Sequence, residues 1–113
     1  GSMERFVAGD IIVVSFPYTD LSETRKRPAL ILANLEGDDI VICEITSRQR
    51  KDPYVVSLEN KELESGSLRT KSIIRPNRLL TLEKSKVNYK FGKIKAEKLE
   101  EVFGKLKVIF RLK

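Results

Sequence analysis

Histidine is absent from all 113 residues. Its absence removes the commonest metal ligand and the commonest general base at neutral pH, so any catalysis must use Arg, Lys, Thr, Ser, Tyr or carboxylates. Cysteine occurs once, as Cys43, which excludes an intrachain disulfide and a cysteine-rich metal site. Cys43 stands inside the apolar run Ile40-Val41-Ile42-Cys43, where a buried structural thiol is expected rather than a nucleophile. Long hydrophobic runs are missing too. The run Ile11-Ile12-Val13-Val14 breaks at Ser15 and Pro17, and no run comes near what a spanning helix needs. No internal repeat, low-complexity tract or linker interrupts the chain. Nothing resembles a signal peptide, since Glu4 and Arg5 precede only a brief apolar stretch, and a cytoplasmic location is expected. Gly1-Ser2 before Met3 reads as an expression scar, leaving residues 4–113 as one expected domain.

Charge and apolar content are both plentiful. Hydrophobic residues make up 41% and charged residues 34%, enough for a core and for a soluble surface. The formal charge is +6, with a pI of about 9.6. Such a balance favours polyanionic partners: nucleic acid, an anionic membrane or an acidic protein.

The pattern of the chain is mostly β. Ile11–Phe16 is apolar on both faces and reads as a central strand, ended by Pro17. Asp20–Arg27 reads as a polar loop, followed by a strand over Pro28–Ala33. Gly37-Asp38-Asp39 signals a hairpin into a third strand, Ile40–Ile45, which delivers Thr46 and Ser47 at its end. After a basic loop over Arg48–Pro53, Tyr54–Leu58 reads as a short strand and Leu63–Gly66 as a turn. Ser67–Ile74 reads as a strand broken by Pro76, with a further strand possible over Leu79–Leu82. Leu99, Val102, Phe103 and Leu106 then recur at helical spacing, predicting a helix over Ala96–Val108. Gly104 inside it should cost about 1 kcal/mol against alanine, so the helix needs to pack on the strands. Together these elements predict a small antiparallel barrel with one terminal helix covering an open side or edge.

Three places could carry chemistry. Arg25-Lys26-Arg27 precede the apolar strand Pro28-Ala29-Leu30; an arginine rooted at a strand start has a planar fork suited to phosphate. Taken alone, the triplet reads as a solvated basic loop. Thr46-Ser47 offer two hydroxyls for a phosphate or a developing oxyanion, yet alone they read as strand-end capping. Arg48, Arg50 and Lys51, with Arg69, Lys71, Arg75 and Arg78, could form a track for a nucleic-acid backbone. Phe16, Tyr18 and Tyr54 could offer stacking faces beside it; Phe16 fits the core better, and Tyr18, after Pro17, is the more open.

Five segments match one family in order and spacing. Gly9-Asp10-Ile11-Ile12-Val13-Val14 resembles the opening G-D-[IV] strand of the MazF/PemK toxins. Phe16-Pro17-Tyr18-Thr19-Asp20-Leu21 resembles a subgroup reading F-P-[FY]-T-D-L. Arg27-Pro28-Ala29-Leu30-Ile31-Leu32 resembles their R-P-A strand, Ile45-Thr46-Ser47 their [IV]-T-S motif, and Gly66-Ser67-Leu68 with Lys71-Ser72-Ile73-Ile74 their G-L…S-[VI] segment. No single motif is specific, but the ordered set is. The resemblance spans Gly9 to the C-terminal helix.

The resemblance implies an SH3-like barrel of the MazF/PemK/CcdB type. It implies the toxin of a type II toxin–antitoxin system, an endoribonuclease that is usually a homodimer and cuts single-stranded RNA, notably mRNA, with no metal or other cofactor. Its partner would be a cognate acidic antitoxin. Catalysis in the family centres on the Arg of R-P-A and the Thr of T-S, which match Arg27 and Thr46. Ser47 matches a neighbouring phosphate-contacting position. Glu23 lies near the acidic residue of the family's S-E-Q loop, although this loop is about one residue shorter. The basic residues Arg25, Lys26, Arg48 and Arg50 and the ring of Tyr18 are expected to bind RNA around that centre. Glu44 replaces the proline often found before [IV]-T-S.

That chemistry suits a chain without histidine, because RNA carries its own nucleophile in the ribose 2′-hydroxyl. The protein has to align it, stabilise the crowded phosphorane and manage two protons. Arginine is a poor general base at neutral pH, so charge stabilisation is its expected role. Two alternatives remain at this point: an SH3-like nucleic-acid-binding module without catalysis, and a CcdB-like poison of a topoisomerase, since one fold carries many functions.

Overall fold

The computed structural model describes residues 5–17 and 24–113. Its strands are β1 (Asp10–Pro17), β2 (Thr24–Asn34), β3 (Asp39–Thr46), β4 (Val56–Leu58), β5 (Leu63–Ser65), β6 (Ser72–Glu83) and β7 (Val87–Ile94), and one helix, α1 (Ala96–Phe110), closes the chain. They form one antiparallel sheet in the order β4-β6-β3-β2-β1-β7-β5. The sheet curls into a half-barrel. The expected barrel is thus an open one, since no ladder joins its edge strands β4 and β5 among the described residues.

The central strands are apolar on both faces because both faces are covered. On one side Ile11, Leu30, Leu32, Cys43, Ile45 and Ile74 meet Val102 of α1, with Leu99 and Leu106 packed against them. On the other, Ile12, Val14, Ala29, Ile31, Ile40 and Ile42 gather around Phe6. Phe103, expected on the covering face of the helix, lies instead at its exposed flank. Lys98 takes a buried place there, between Glu62 of the short 3-10 turn before β5 and Glu101. Burial alone would lower the Lys98 ammonium, but hydrogen bonds to the two carboxylates outweigh it and raise it above its ordinary value.

Several sequence expectations need correction. The cationic triplet is not in a loop: β2 starts at Thr24, and Arg25, Lys26 and Arg27 pair with Phe16, Ser15 and Val14. Leu63–Ser65 is a strand rather than part of a turn, paired with β7. The stretch expected as a strand from Ser67 becomes one only at Ser72. Pro76 does not end that strand. Cys43 pairs with Leu79 and the next residue, Glu44, with Arg75, so residues 76–78 bulge out of the ladder. A proline in such a bulge removes no ladder hydrogen bond. Strand β7, Val87–Ile94, has no counterpart among the strands expected from sequence. The helix runs two residues further than expected, and Arg111 closes it in a left-handed conformation (φ 56°), its N–H reaching the carbonyls of Lys107 and Val108.

One close approach shapes the site that follows. Gly66, at φ +84°, presses on β7 so tightly that a Cβ there would lie 2.3 Å from the Phe91 carbonyl oxygen. A Cβ on Gly92 would lie 2.6 Å from the Ser65 carbonyl oxygen. Two bare backbones therefore meet, and the following segment, 67–71, is held beside β7.

Candidate active-site groove

The groove arises where two neighbouring strands part. β2 pairs with β1 from Thr24, opposite Pro17, to Leu30, opposite Ile11. Its ladder to β3 starts only at Ala29, opposite Glu44. Past Glu44, β3 continues against β6 alone, with Ile45 opposite Ile74 and Thr46 opposite Ile73. A cavity of about 710 Å³ occupies the divergence. Arg25, Lys26, Arg27 and Pro28 line it from β2, and Ile45, Thr46 and Ser47 from β3. Arg27 and Thr46 each stand two residues beyond the last pair, Ala29–Glu44, and share one pleat phase. Because the ladder ends here, both pleat phases of β2 reach the groove.

The remaining walls come from Ser67, Leu68, Arg69 and Thr70 of the segment that Gly66 docks, from Ser72, and from Val13, Tyr89 and Phe91. Asn60 ties that segment down: its side-chain oxygen accepts the Leu68 N–H at 2.7 Å, and its amide donates to the Leu68 carbonyl at 3.2 Å. The described lining contains four cations and no carboxylate, so its field is positive.

Thr46 is buried apart from a sliver, at 7% exposure. Its Oγ1 accepts the Arg48 N–H at 3.1 Å, which fixes the side chain and leaves the hydroxyl proton to donate elsewhere. Ser47, one residue on, is exposed, and Arg27 is half-buried. Behind β3, Glu44 meets Arg75 at 3.6 Å and Arg78 at 3.8 Å, and Arg75 also meets Asp52 at 3.5 Å. The Asp52 carboxylate is held below its ordinary value first by the Tyr54 N–H, then, against some desolvation, by Asn77 and Arg75. Glu44 thus pairs with arginines at the bulge between β3 and β6, just before Thr46.

Over residues 8–110 the chain matches the family of PemK-like, MazF-like toxins of type II toxin–antitoxin systems. It belongs to that family. Among solved structures, MazE–MazF from Deinococcus radiodurans is 23% identical, with 94% of this chain and 96% of that one covered and a TM-score of 0.75. An endoribonuclease from a mycobacterial species is 18% identical, with coverage of 97% and 95% and a TM-score of 0.73. A mycobacterial endoribonuclease in complex with its cognate antitoxin is 16% identical, with coverage of 96% and 98% and a TM-score of 0.73. At these identities the likeness is one of fold. Comparison with curated proteins finds no match.

In this toxin the groove brings together five of the residues singled out from sequence: Arg25, Lys26, Arg27, Thr46 and Ser47. Arg48 and Arg50 are exposed on the segment after β3 and stand outside the lining. Arg75 leaves the expected cationic track, buried between Glu44 and Asp52. Tyr18 and Glu23 lie outside the described residues. Tyr54 is half-buried and away from the lining. The Gly9-Asp10 pair, despite opening the family's pattern, is structural: Gly9 adopts φ +99°, and the buried Asp10 carboxylate accepts the Val7 N–H at 2.9 Å. Tyr89 and Phe91 escaped the sequence reading. The alternation Val87, Tyr89, Phe91 against Asn88 and Lys90 is a period-two signal that could have found them.

Proposed function

We propose that this toxin is an endoribonuclease that cleaves single-stranded RNA, with messenger RNA as its cellular substrate and no metal ion required. One observation carries the reading: Arg27, Thr46 and Ser47 line the same cationic groove, from strands that separate just there. The scissile phosphate would rest against the hydroxyls of Thr46 and Ser47. The ribose 2′-hydroxyl oxygen attacks phosphorus as its proton passes to water, and the bond to the 5′-oxygen breaks as that oxygen takes a proton from water. The products are a 2′,3′-cyclic phosphate and a 5′-hydroxyl. Negative charge on the phosphorane is met by Arg27, whose fork can contact two equatorial oxygens, while Arg25 and Lys26 hold neighbouring phosphates. The Thr46 hydroxyl, oriented by the Arg48 N–H, donates to a phosphoryl oxygen. DNA lacks the nucleophile and should resist.

The same reading includes one catalytic domain acting in the cytoplasm, together with an acidic antitoxin. Carboxylates of an extended antitoxin segment would be drawn to the groove cations as phosphates are. The test is incubation of the purified toxin with a mixed RNA pool in excess chelator, beside Arg27→Ala and Thr46→Val. Cleavage by the wild type to 5′-hydroxyl ends is expected, with loss of about 100-fold or more in either variant and near-unchanged melting. A strict magnesium requirement with 5′-phosphate products, or wild-type cleavage by either variant, would overturn the assignment. Binding without cleavage would favour a non-catalytic nucleic-acid module instead.

A further inference from the structure

We propose that Tyr89 is a base-stacking platform in the groove, holding one nucleobase of the bound RNA next to the scissile phosphate. The inference rests on the endoribonuclease reading for its ligand class, but on separate residues for its evidence. Tyr89 pairs across the sheet with Val13, and Val13 with Pro28. The three therefore form one row across β7, β1 and β2, and all three line the groove. Val13 is only 8% exposed and makes a low floor, whereas Tyr89 is 52% exposed and stands above it. Two strand spacings separate β7 from β2, about 10 Å. A nucleotide can bridge that gap with its phosphate on the β2 cations and its base on the far side.

The other described aromatics do not offer this. Phe6 is buried in the core, Phe91 lines the groove but is partly buried against the core, and Tyr54, Phe103 and Phe110 lie outside the lining. The sheet is also open beside Tyr89, leaving room for a ligand. β5 pairs with β7 only at Ile94 and Lys93, so no outer strand among the described residues covers the Tyr89 stretch. Phosphate contacts alone would position RNA without reading it. A π-face adds hold on the base and tolerates many sequences. Arg69, across the groove on the docked segment, can meet the phosphate on the other side of the stacked nucleoside.

The test uses the full chain, with Tyr89→Ala and Tyr89→Phe. The probe is a set of single-stranded 2′-O-methyl oligonucleotides, which cannot be cleaved, each carrying 2-aminopurine at one successive position. Wild type and Tyr89→Phe should quench the fluorophore at one position and bind with like affinity, because stacking needs the ring and not the hydroxyl. Tyr89→Ala should lose that quenching and bind about ten-fold more weakly. On cleavable RNA the same change should appear mainly in KM, and replacing that one base by an abasic site should harm the wild type but not Tyr89→Ala. Thermal melting of each variant checks folding. Undiminished quenching and affinity in Tyr89→Ala would overturn the inference. So would equal loss at every abasic position. If the wild type cuts no RNA yet shows Tyr89-dependent quenching, the endoribonuclease reading fails and the stacking site stands.

Discussion

At the scale of single residues, the groove turns on what each side chain is already doing. Thr46 spends its oxygen on the Arg48 N–H and keeps its proton for a ligand, so a buried hydroxyl becomes an aimed donor. Cys43 shows the opposite case. It is fully buried, and burial, helped by the nearby Glu44 charge, pushes its thiol up to about 12. Since the thiolate is the reactive form, Cys43 should be inert to iodoacetamide at pH 8 in the folded toxin and react readily once denaturant opens the sheet. Mass spectrometry of the alkylated protein checks this, and rapid native labelling would show that the thiol is exposed. The sequence made this residue legible, because an apolar run on both sides of a lone cysteine leaves it nowhere else to go. It could not reveal Arg75, whose charge looked like part of an open track until β6 carried it between Glu44 and Asp52.

At the scale of elements, local pattern gave a good account of β1, β3 and α1, whose apolar periodicity matches the surfaces they cover. It failed where a rule about one residue type was overridden by pairing. Pro76 should end a strand, but the bulge at 76–78 takes the proline out of the ladder and β6 runs on to Glu83. Three cations in a row suggest a loop, yet pairing with β1 holds them in β2. Gly104 allows a direct test of what α1 needs. It is exposed, and a Cβ built on it meets nothing within 4 Å, so no packing reason accompanies its helical cost. Gly104→Ala should stabilise the toxin by about 0.5–1 kcal/mol, raising Tm by a few degrees with RNA cleavage unchanged. A fall in Tm on calorimetry would show that the glycine serves a contact outside the described residues.

At the scale of the whole molecule, the charge of +6 is focused where four cations share one groove. A groove this short holds few nucleotides, and pairing two copies about a two-fold axis would lengthen it. The Ser67–Ile74 region offers little for such a contact, because Ser67–Thr70 line the groove and Ile73 and Ile74 are buried within the protomer. Leu79 and Leu80, at 40% and 38% exposure beside the β6 bulge, are left as apolar surface for a partner copy. Sedimentation equilibrium at micromolar concentration should report about twice 12.9 kDa. Leu79→Asp or Leu80→Asp, taken singly, should shift it toward the monomer. A wild-type monomer with full ribonuclease activity would refute the dimer.

By itself the sequence determined the class of fold and the residues able to do chemistry. Apolar runs of period two have to be buried as strands, a chain without histidine has to work with arginine and hydroxyls, and the ordered motifs from Gly9 to Ile74 name a family. The tertiary structure decided which of those residues meet. Arg27 and Thr46 are 19 positions apart in the chain and line one groove only because β3 parts from β2 past Glu44 while staying paired with β6. Tyr89 joins them only because β7 pairs with β1 at Val13, and the 67–71 segment closes the wall only because two glycine backbones can touch. These are pairings between distant segments, set by register and by burial summed over the whole sheet, and no local stretch of the chain contains that information.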